Sequence, residues 1–326
     1  MKPIETYWAS ANILTVLLLP VSWIFCLLVW VRRLAYQWGL IRVQRLPVPV
    51  IVVGNITVGG TGKTPLVIQL AEQLRQSGYR PGVVSRGYGG QSETWPRDVF
   101  PDSDPILTGD EPVLIARRAG CPVCVGPDRP AAAKKLVENS ACDVIISDDG
   151  MQHYAMHRDL EIAVLDGKRR LGNGFCLPAG PLREPSGRLK STGLVVVNGE
   201  HSPGETSMSL LPGELVNMAE PEKRCSLDAF SGKSVHALAG IGNPSRFFDT
   251  LRTAGLHPVE HAFPDHHRFS EDELAFDDQL PLIMTEKDAV KCLAFAKPHC
   301  WYLMVYAAAD PLIADRVYSL LKERGN

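Results

Sequence analysis

The chain has 326 residues, 45% of them hydrophobic and 21% charged, with a formal net charge of −2. This is globular composition, which excludes a disordered, collagen-like or coiled-coil chain, and its charge gives no global pull toward nucleic acid. The length allows about two domains of roughly 150 residues.

The first element departs from that average. Residues 6–31 hold 26 positions without a charge, 20 of them hydrophobic, and four of the six tryptophans (Trp8, Trp23, Trp30, Trp38) lie in the first 38 residues. Ile13 to Val31 would make a helix about 28 Å long at 1.5 Å per residue, close to the thickness of a bilayer core. Arg32, Arg33, Arg42 and Arg45 follow, and no acidic residue occurs from Thr6 to Ala71. The positive-inside rule therefore places the carboxyl-terminal side in the cytoplasm. Pro20 and Ser22 interrupt the run, so it supports either a full span or a helix lying in the interface.

Next comes VPVIVV (48–53), a β-branched run of the kind buried in parallel sheets. It leads into Gly59-Gly60-Thr61-Gly62-Lys63-Thr64, and a helical period begins at Thr64 and runs to Gln76. Strand, glycine-rich turn and helix in that order are the context of a phosphate-binding loop. Glycines let backbone N–H groups face phosphate oxygens, Lys63 reaches the β and γ phosphates, and the Thr64 hydroxyl suits Mg²⁺. Thr57 stands where the general pattern has its first glycine, so the loop is a glycine-glycine variant.

Strand and helix patterns then alternate. Strands are expected at 81–85, 143–147, 161–165 and 194–197, and helices at 111–118 and 130–139. The pattern predicts a doubly wound parallel sheet. The strand at 143–147 ends in Asp148-Asp149, where a nucleotide site needs a carboxylate for Mg²⁺. Thr285-Glu286-Lys287-Asp288 lacks the spacing of a guanine-reading motif, which favours ATP. Loops after the strands carry SRGYGG (85–90), TGDEP (108–112), GPDRP (126–130), Gln152-His153 and PLREP (181–185). Such loops converge at the carboxyl edge of an open α/β sheet. Arg86, Arg129 and Arg183 among them suit an anionic acceptor, and Asp110 and Glu111 are candidates to accept a hydroxyl proton.

The texture changes after Asn198. Residues 201–233 read as a connecting segment or β-ribbon, and a second α/β series starts at Ser234. The expected organisation is a membrane-associated helix (1–33), a P-loop domain (34–200), the connection (201–233) and a smaller α/β domain (234–326) whose last helix can pack back on the first. The eight cysteines, with one unpaired C-x-x-C at 121–124, read as small buried residues of a reducing compartment.

Taken together, the amino-terminal apolar helix, PVPVIVVGNITVGGTGKTP, SRGYGG, TGDEP, GPDR, SDDGMQHY, LPAGPLRE, FPDHH and TEKDAVK resemble the tetraacyldisaccharide 4′-kinase family of lipid A synthesis, in order and over nearly the whole chain. The resemblance implies transfer of the ATP γ-phosphoryl group, with Mg²⁺, to the 4′-hydroxyl of a tetraacylated glucosamine disaccharide 1-phosphate. It implies work at the cytoplasmic face of the inner membrane, with no nucleic acid and no obligate protein partner. It also implies nucleotide binding by Gly59, Gly60, Thr61, Gly62, Lys63 and Thr64, and metal binding by Thr64, Asp148 and Asp149. Asp110 resembles the family's catalytic base, acting with Lys63 and with a histidine, His266 fitting best and His267 standing as the alternative. Arg86, Tyr88, Glu111, Arg129, Gln152, Arg183 and Glu184 resemble the substrate-contacting set.

Overall fold

The computed structural model describes residues 7–278 and 280–325. Of the expected 1–33 segment, the first six residues lie outside the described residues. Helix α1 (Ile13–Gln37) starts at Asn12, whose side chain accepts the Thr15 amide at 3.1 Å while the Thr15 hydroxyl takes the Asn12 amide at 3.3 Å. This reciprocal cap fixes the start of the helix, and Pro20 sits inside it.

Strand β1 (Val50–Gly54) and helix α2 (Lys63–Gln76) flank the glycine-rich loop. They are followed by β2 (Pro81–Ser85), β3 (Arg97–Val99), α3 (Pro105–Thr108), α4 (Asp110–Ala119), β4 (Val123–Val125) and α5 (Arg129–Ser140). Then come β5 (Val144–Asp148), β6 (Leu160–Asp166) and β7 (Leu194–Asn198). Strands β4, β2, β5, β1, β6 and β7 are parallel neighbours in that order, with β3 antiparallel on the outer edge. Every residue of β1, β2, β5 and β6 is buried, because helices cover both faces. That is why these segments read as unbroken apolar runs and not as alternation.

The remaining strands are β8 (Ser207–Asn217), β9 (Arg224–Cys225), β10 (Ser234–Ala239), β11 (His257–Ala262), β12 (Leu282–Thr285) and β13 (Cys300–Ala309). Helices α6 (Pro244–Thr253), α7 (Glu286–Cys292) and α8 (Pro311–Gly325) belong to the same portion. Strands β11, β10, β12 and β13 are parallel, and β13 pairs antiparallel with β8. Strand β8 also continues parallel pairing from β7, so one sheet runs unbroken through both halves. The long β8–β13 ribbon joins the two halves of that sheet. Pro212 and Gly213 disguise β8 in the sequence, yet Pro212 is paired with Val305 beside a register shift, where a proline is tolerated. Strand β11 also carries little signal, since it is a half-exposed edge strand reading HPVEHA.

Helix α8 lies on the first half. Ile313, Val317 and Leu321 share a buried cluster with Leu70 and Leu74 of α2, and the Tyr318 hydroxyl meets the Ser77 hydroxyl at 2.8 Å. All eight cysteines are free thiols, and burial pushes Cys121 and Cys124 up to about 12.

Candidate active site

A cavity of about 1460 Å³ opens at the carboxyl edge of the sheet. Single-ligand pockets run to about 300–1,000 Å³, so this one has room for two substrates. One end is the glycine-rich loop. Gly59 and Gly62 hold φ of 93° and 87°, in the left-handed region that glycine adopts without cost. A side chain at Gly59 would strike the Arg169 guanidinium at 2.8 Å. Lys63 and Thr64 open α2, whose amino terminus adds partial positive charge. The second half covers this end: a Cβ at Gly242 would come within 2.8 Å of the Gly60 amide nitrogen.

The two aspartates after β5 differ. Asp149 faces the cavity, with Oδ1 3.5 Å from Lys63 Nζ and Oδ2 3.0 Å from Arg183 Nη1. Burial opposes its charge, but Lys63, Arg183 and Arg129 together hold it well below the ordinary carboxylate range. Asp148 is fully buried, and its Oδ1 has no hydrogen-bond partner. Burial, reinforced by the charges of Glu111 and Asp149, raises its pKa. A buried carboxylate with an orphaned oxygen lacks positive charge. Asp148, Asp149 and the Thr64 hydroxyl are hard oxygen donors of the kind Mg²⁺ takes, completing its shell from phosphates. These residues fit the ion.

The carboxylate at the start of α4 is only 5% exposed. His266, from the loop after β11, reaches it across the cavity, with Nδ1 3.0 Å from Asp110 Oδ1 and 3.1 Å from Oδ2. Burial alone would raise the Asp110 pKa, yet the hydrogen bond from His266 and the charge of Lys287 bring it down to about 2. The same bond raises His266 against its own burial. His266 holds a φ of 61°, a conformation costly for a side-chain-bearing residue and found where a site over-determines it. The Tyr88 ring lies against it with centroids 5.1 Å apart. His267 turns away: its Nε2 meets Glu273 Oε1 at 2.9 Å and its ring packs on Phe263 and Phe269.

Arg86, Tyr88, Glu111, Arg129, Gln152, Arg183 and Glu184 all line the cavity, and Asp110 and Asp148 are buried outside its lining. Arg129 is buried, donating to the Asp149 carbonyl at 2.8 Å, so it braces the aspartate loop. Glu184 is also buried: Gln152 donates to it at 2.8 Å, Tyr154 donates to its other oxygen, and Arg188 lies 3.4 Å away. Its oxygens are thus engaged within the protein. Arg86 and Arg183 also line the cavity, Arg183 paired with Asp149.

Sequence reasoning missed Lys287. Its Nζ sits 2.9 Å from Glu111 Oε1, 3.1 Å from Asp265 Oδ1 and 4.0 Å from Asp110 Oδ2, tying α7 and the His266 loop to α4. Lys291 adds a second cation 3.9 Å from Asp110, and Arg118 joins Glu286 at 2.7 Å. The signal was present in TEKDAVK, whose spacing of four between lysines puts both on one helical face. Asn198 and Arg246 were missed too: Asn198 donates to the Thr61 carbonyl at 2.9 Å and accepts from Arg246 at 3.1 Å.

Helix α1 lines the far end through Phe25, Val29 and Arg32. Its docked stripe is centred on polar groups: Thr15 and Ser22 are buried, and the Ser22 hydroxyl donates to the Cys176 carbonyl at 2.8 Å. Its outward face is apolar, with Ile13 81% and Trp23 64% exposed. By length and composition this helix could cross a membrane.

Comparison with known proteins agrees over almost the entire length. Residues 14–322 match the family described as tetraacyldisaccharide-1-P 4′-kinase. The tetraacyldisaccharide 4′-kinase of Nitrosococcus oceani is 51% identical over 317 residues, covering 97% of this chain and 94% of the relative. That of Methylobacillus flagellatus is 48% identical over 320 residues, covering 98% and 95%. The crystal structure of "apo" form LpxK from Aquifex aeolicus in complex with ATP superposes with a TM-score of 0.79 at 28% identity, covering 95% of this chain and all of that one. With a glycine-rich loop, an Asp–His pair at the same cavity and this continuity of sequence and fold, the chain belongs to the tetraacyldisaccharide-1-P 4′-kinase family.

Proposed function

We propose that the chain transfers the γ-phosphoryl group of ATP to the 4′-hydroxyl of a tetraacylated glucosamine disaccharide 1-phosphate, with Asp110 as base and the glycine-rich loop as phosphate cradle. It is a kinase of lipid A synthesis, as its family is. The observation that carries the residue assignments is the Asp110–His266 bond, which joins the two halves at the cavity that Lys63 and His266 both line.

Phosphoryl transfer passes through a loose transition state, so the protein's work is positioning and charge neutralisation. Backbone N–H groups of Gly59 to Gly62 and the Lys63 ammonium hold the β and γ phosphates. Thr64, Asp148 and Asp149 would hold Mg²⁺, which neutralises phosphate charge when bound. Arg86 and Arg183 face the acceptor. Asp110 accepts the hydroxyl proton as the new bond forms, and His266 fixes the carboxylate and shares the charge. A carboxylate of pKa about 2 is a weak base in isolation. It suits a loose transition state, in which the hydroxyl gives up its proton late.

The inverted polarity of α1 supports a seat in the inner membrane. The arginines from Arg32 onward support the cytoplasmic face. An apolar outward face lets the acyl chains stay in lipid while the sugar enters the cavity. The test is incubation of the purified protein with γ-labelled ATP and the acceptor in mixed micelles. Label in a lipid-extractable product, lost by orders of magnitude in Lys63→Ala, is the expected result. Release of free phosphate with no labelled lipid would overturn the reading.

A further inference from the structure

A phosphate-binding loop turns backbone N–H groups toward the phosphates, so its carbonyls point the other way and need donors of their own. Side chains outside the loop supply them here. Asn55 donates to the Gly59 carbonyl at 3.4 Å, Arg169 to the Gly60 carbonyl, and Asn198 to the Thr61 carbonyl at 2.9 Å. Each contact acts on a whole peptide unit, because a carbonyl and the N–H of the next residue share a plane. Fixing the Thr61 carbonyl thus fixes the direction of the Gly62 N–H, just ahead of Lys63. Asn198 is buried and packs so closely on Gly62 that no side chain fits there.

Two of these three contacts lead on to the second half. The Asn198 side-chain oxygen accepts from Arg246 Nη2 at 3.1 Å. Arg246 Nη1 lies 4.0 Å from Asp166 Oδ2, while Asp166 Oδ1 accepts the Arg169 amide at 2.8 Å. Arg246 stands in the first turn of α6, where the helix dipole disfavours a cation and no acidic residue offsets it. Its partners on β6 and β7 of the first half are what favour it at that place. We infer that Arg246 and Asn198 form a relay through which the second half sets the shape of the phosphate loop and so its affinity for ATP. Both are positioning residues, acting on the nucleotide through the Thr61–Gly62 peptide. The inference rests on the kinase reading above, which makes ATP the ligand of the loop.

The relay is tested on the full chain by titrating ATP in the presence of Mg²⁺ and by initial rates, for Arg246→Ala, Asn198→Ala, the double variant and Arg246→Lys. Each alanine variant should raise Kd and KM for ATP about tenfold, the worth of one charge-assisted hydrogen bond. KM for the lipid acceptor should hold, and Arg246→Lys should recover part of the loss. The double variant should bind ATP no more weakly than the worse single one, because both changes break one chain of contacts. Losses that multiply in the double variant would mean that Arg246 meets the nucleotide directly, and would overturn the relay. So would an unchanged Kd, or a lower melting temperature with equal rises in both KM values. Arg246 is half-exposed, so its variants fold and decide the matter even where Asn198→Ala does not. A wild-type chain that binds ATP yet labels no lipid would overturn the kinase reading and leave the relay to be judged on Kd.

Discussion

Helices α1 and α4 border the same cavity and solve opposite problems. Helix α4 is an ordinary globular helix: Val113, Leu114 and Ile115 are buried in the core, acidic residues open its first turn, and Arg117 and Arg118 close its last. That charge order follows the helix dipole, which also favours an ionised Asp110 at the amino terminus. Helix α1 has neither acidic residues in its first turn nor basic ones in its last. It docks through Thr15 and Ser22, with Phe25 and Cys26 packed on the core beside them, and turns Ile13, Leu17, Trp23 and Leu28 outward. One helix buries both its first carboxylate and its apolar face, and the other leaves its apolar face exposed. The cavity lies between the buried carboxylate proposed as base and the apolar helix proposed to meet lipid.

The largest effect should come from the α4 side. Asp110→Asn keeps shape and burial but removes the proton acceptor, and kcat should fall roughly 10²- to 10⁴-fold, the usual worth of a positioned base. Single-turnover kinetics beside a thermal melt would check it, and near-normal turnover in a folded variant would remove Asp110 from the mechanism. On the α1 side, the double change Leu17→Glu and Trp23→Glu should cut binding to lipid vesicles by more than tenfold, since charged side chains cost about 2.5–3.5 kcal/mol each at a helix centre in lipid. Flotation would measure it. Unchanged flotation would mean that the outward face does not meet the bilayer.

Lys287 joins the two halves and sets the charge around the base. Lys287→Met leaves Glu111, Asp265 and Asp110 with less positive charge, so the Asp110 pKa should rise from about 2 and the acid limb of the rate profile should move upward. We expect kcat to drop about tenfold, with recovery in Lys287→Arg. A uniform loss at every pH would reduce Lys287 to a structural tie.

Legibility in the sequence follows the same contrast. Short-range patterns showed through: the buried β-branched strands, the loop between Gly59 and Thr64 and the uncharged run of α1 are each set by neighbours in the chain. The continuous sheet did not show, because β8 carries Pro212 and Gly213 and its pairing with β13 closes across some ninety residues. Among site residues, Asp110 and His266 could be named through their motifs, but their separation of 156 positions hides the bond between them. Lys287 drew no attention because its role depends on which helix α7 packs against. The face of α1 that docks was equally hidden: its stripe of Thr15 and Ser22 looks like an interruption of the apolar run until the body supplies partners for both hydroxyls.

The smallest predicted effect concerns the ion pair that joins the halves. Asp110 has a folded pKa near 2, below its ordinary 3.8, so its contribution to stability is present above 3.8 and fades as pH falls through 2. His266 is shifted upward from 6.5, so its contribution is complete below 6.5 and fades as pH rises through the higher folded value. The pair therefore acts in the window between the two folded pKa values. In Asp110→Asn the imidazolium loses its carboxylate while burial and Lys287 remain, and the His266 pKa should fall below that of the wild type. Histidine Cε1 proton shifts followed against pH would read it directly. If the His266 titration stayed in place, the partner that raises it would have to be Asp265, whose Oδ1 lies 3.8 Å from Nε2 on the opposite side of the ring. The contact of the second half with α4 would then rest on Lys287 with Glu111 and on Arg118 with Glu286.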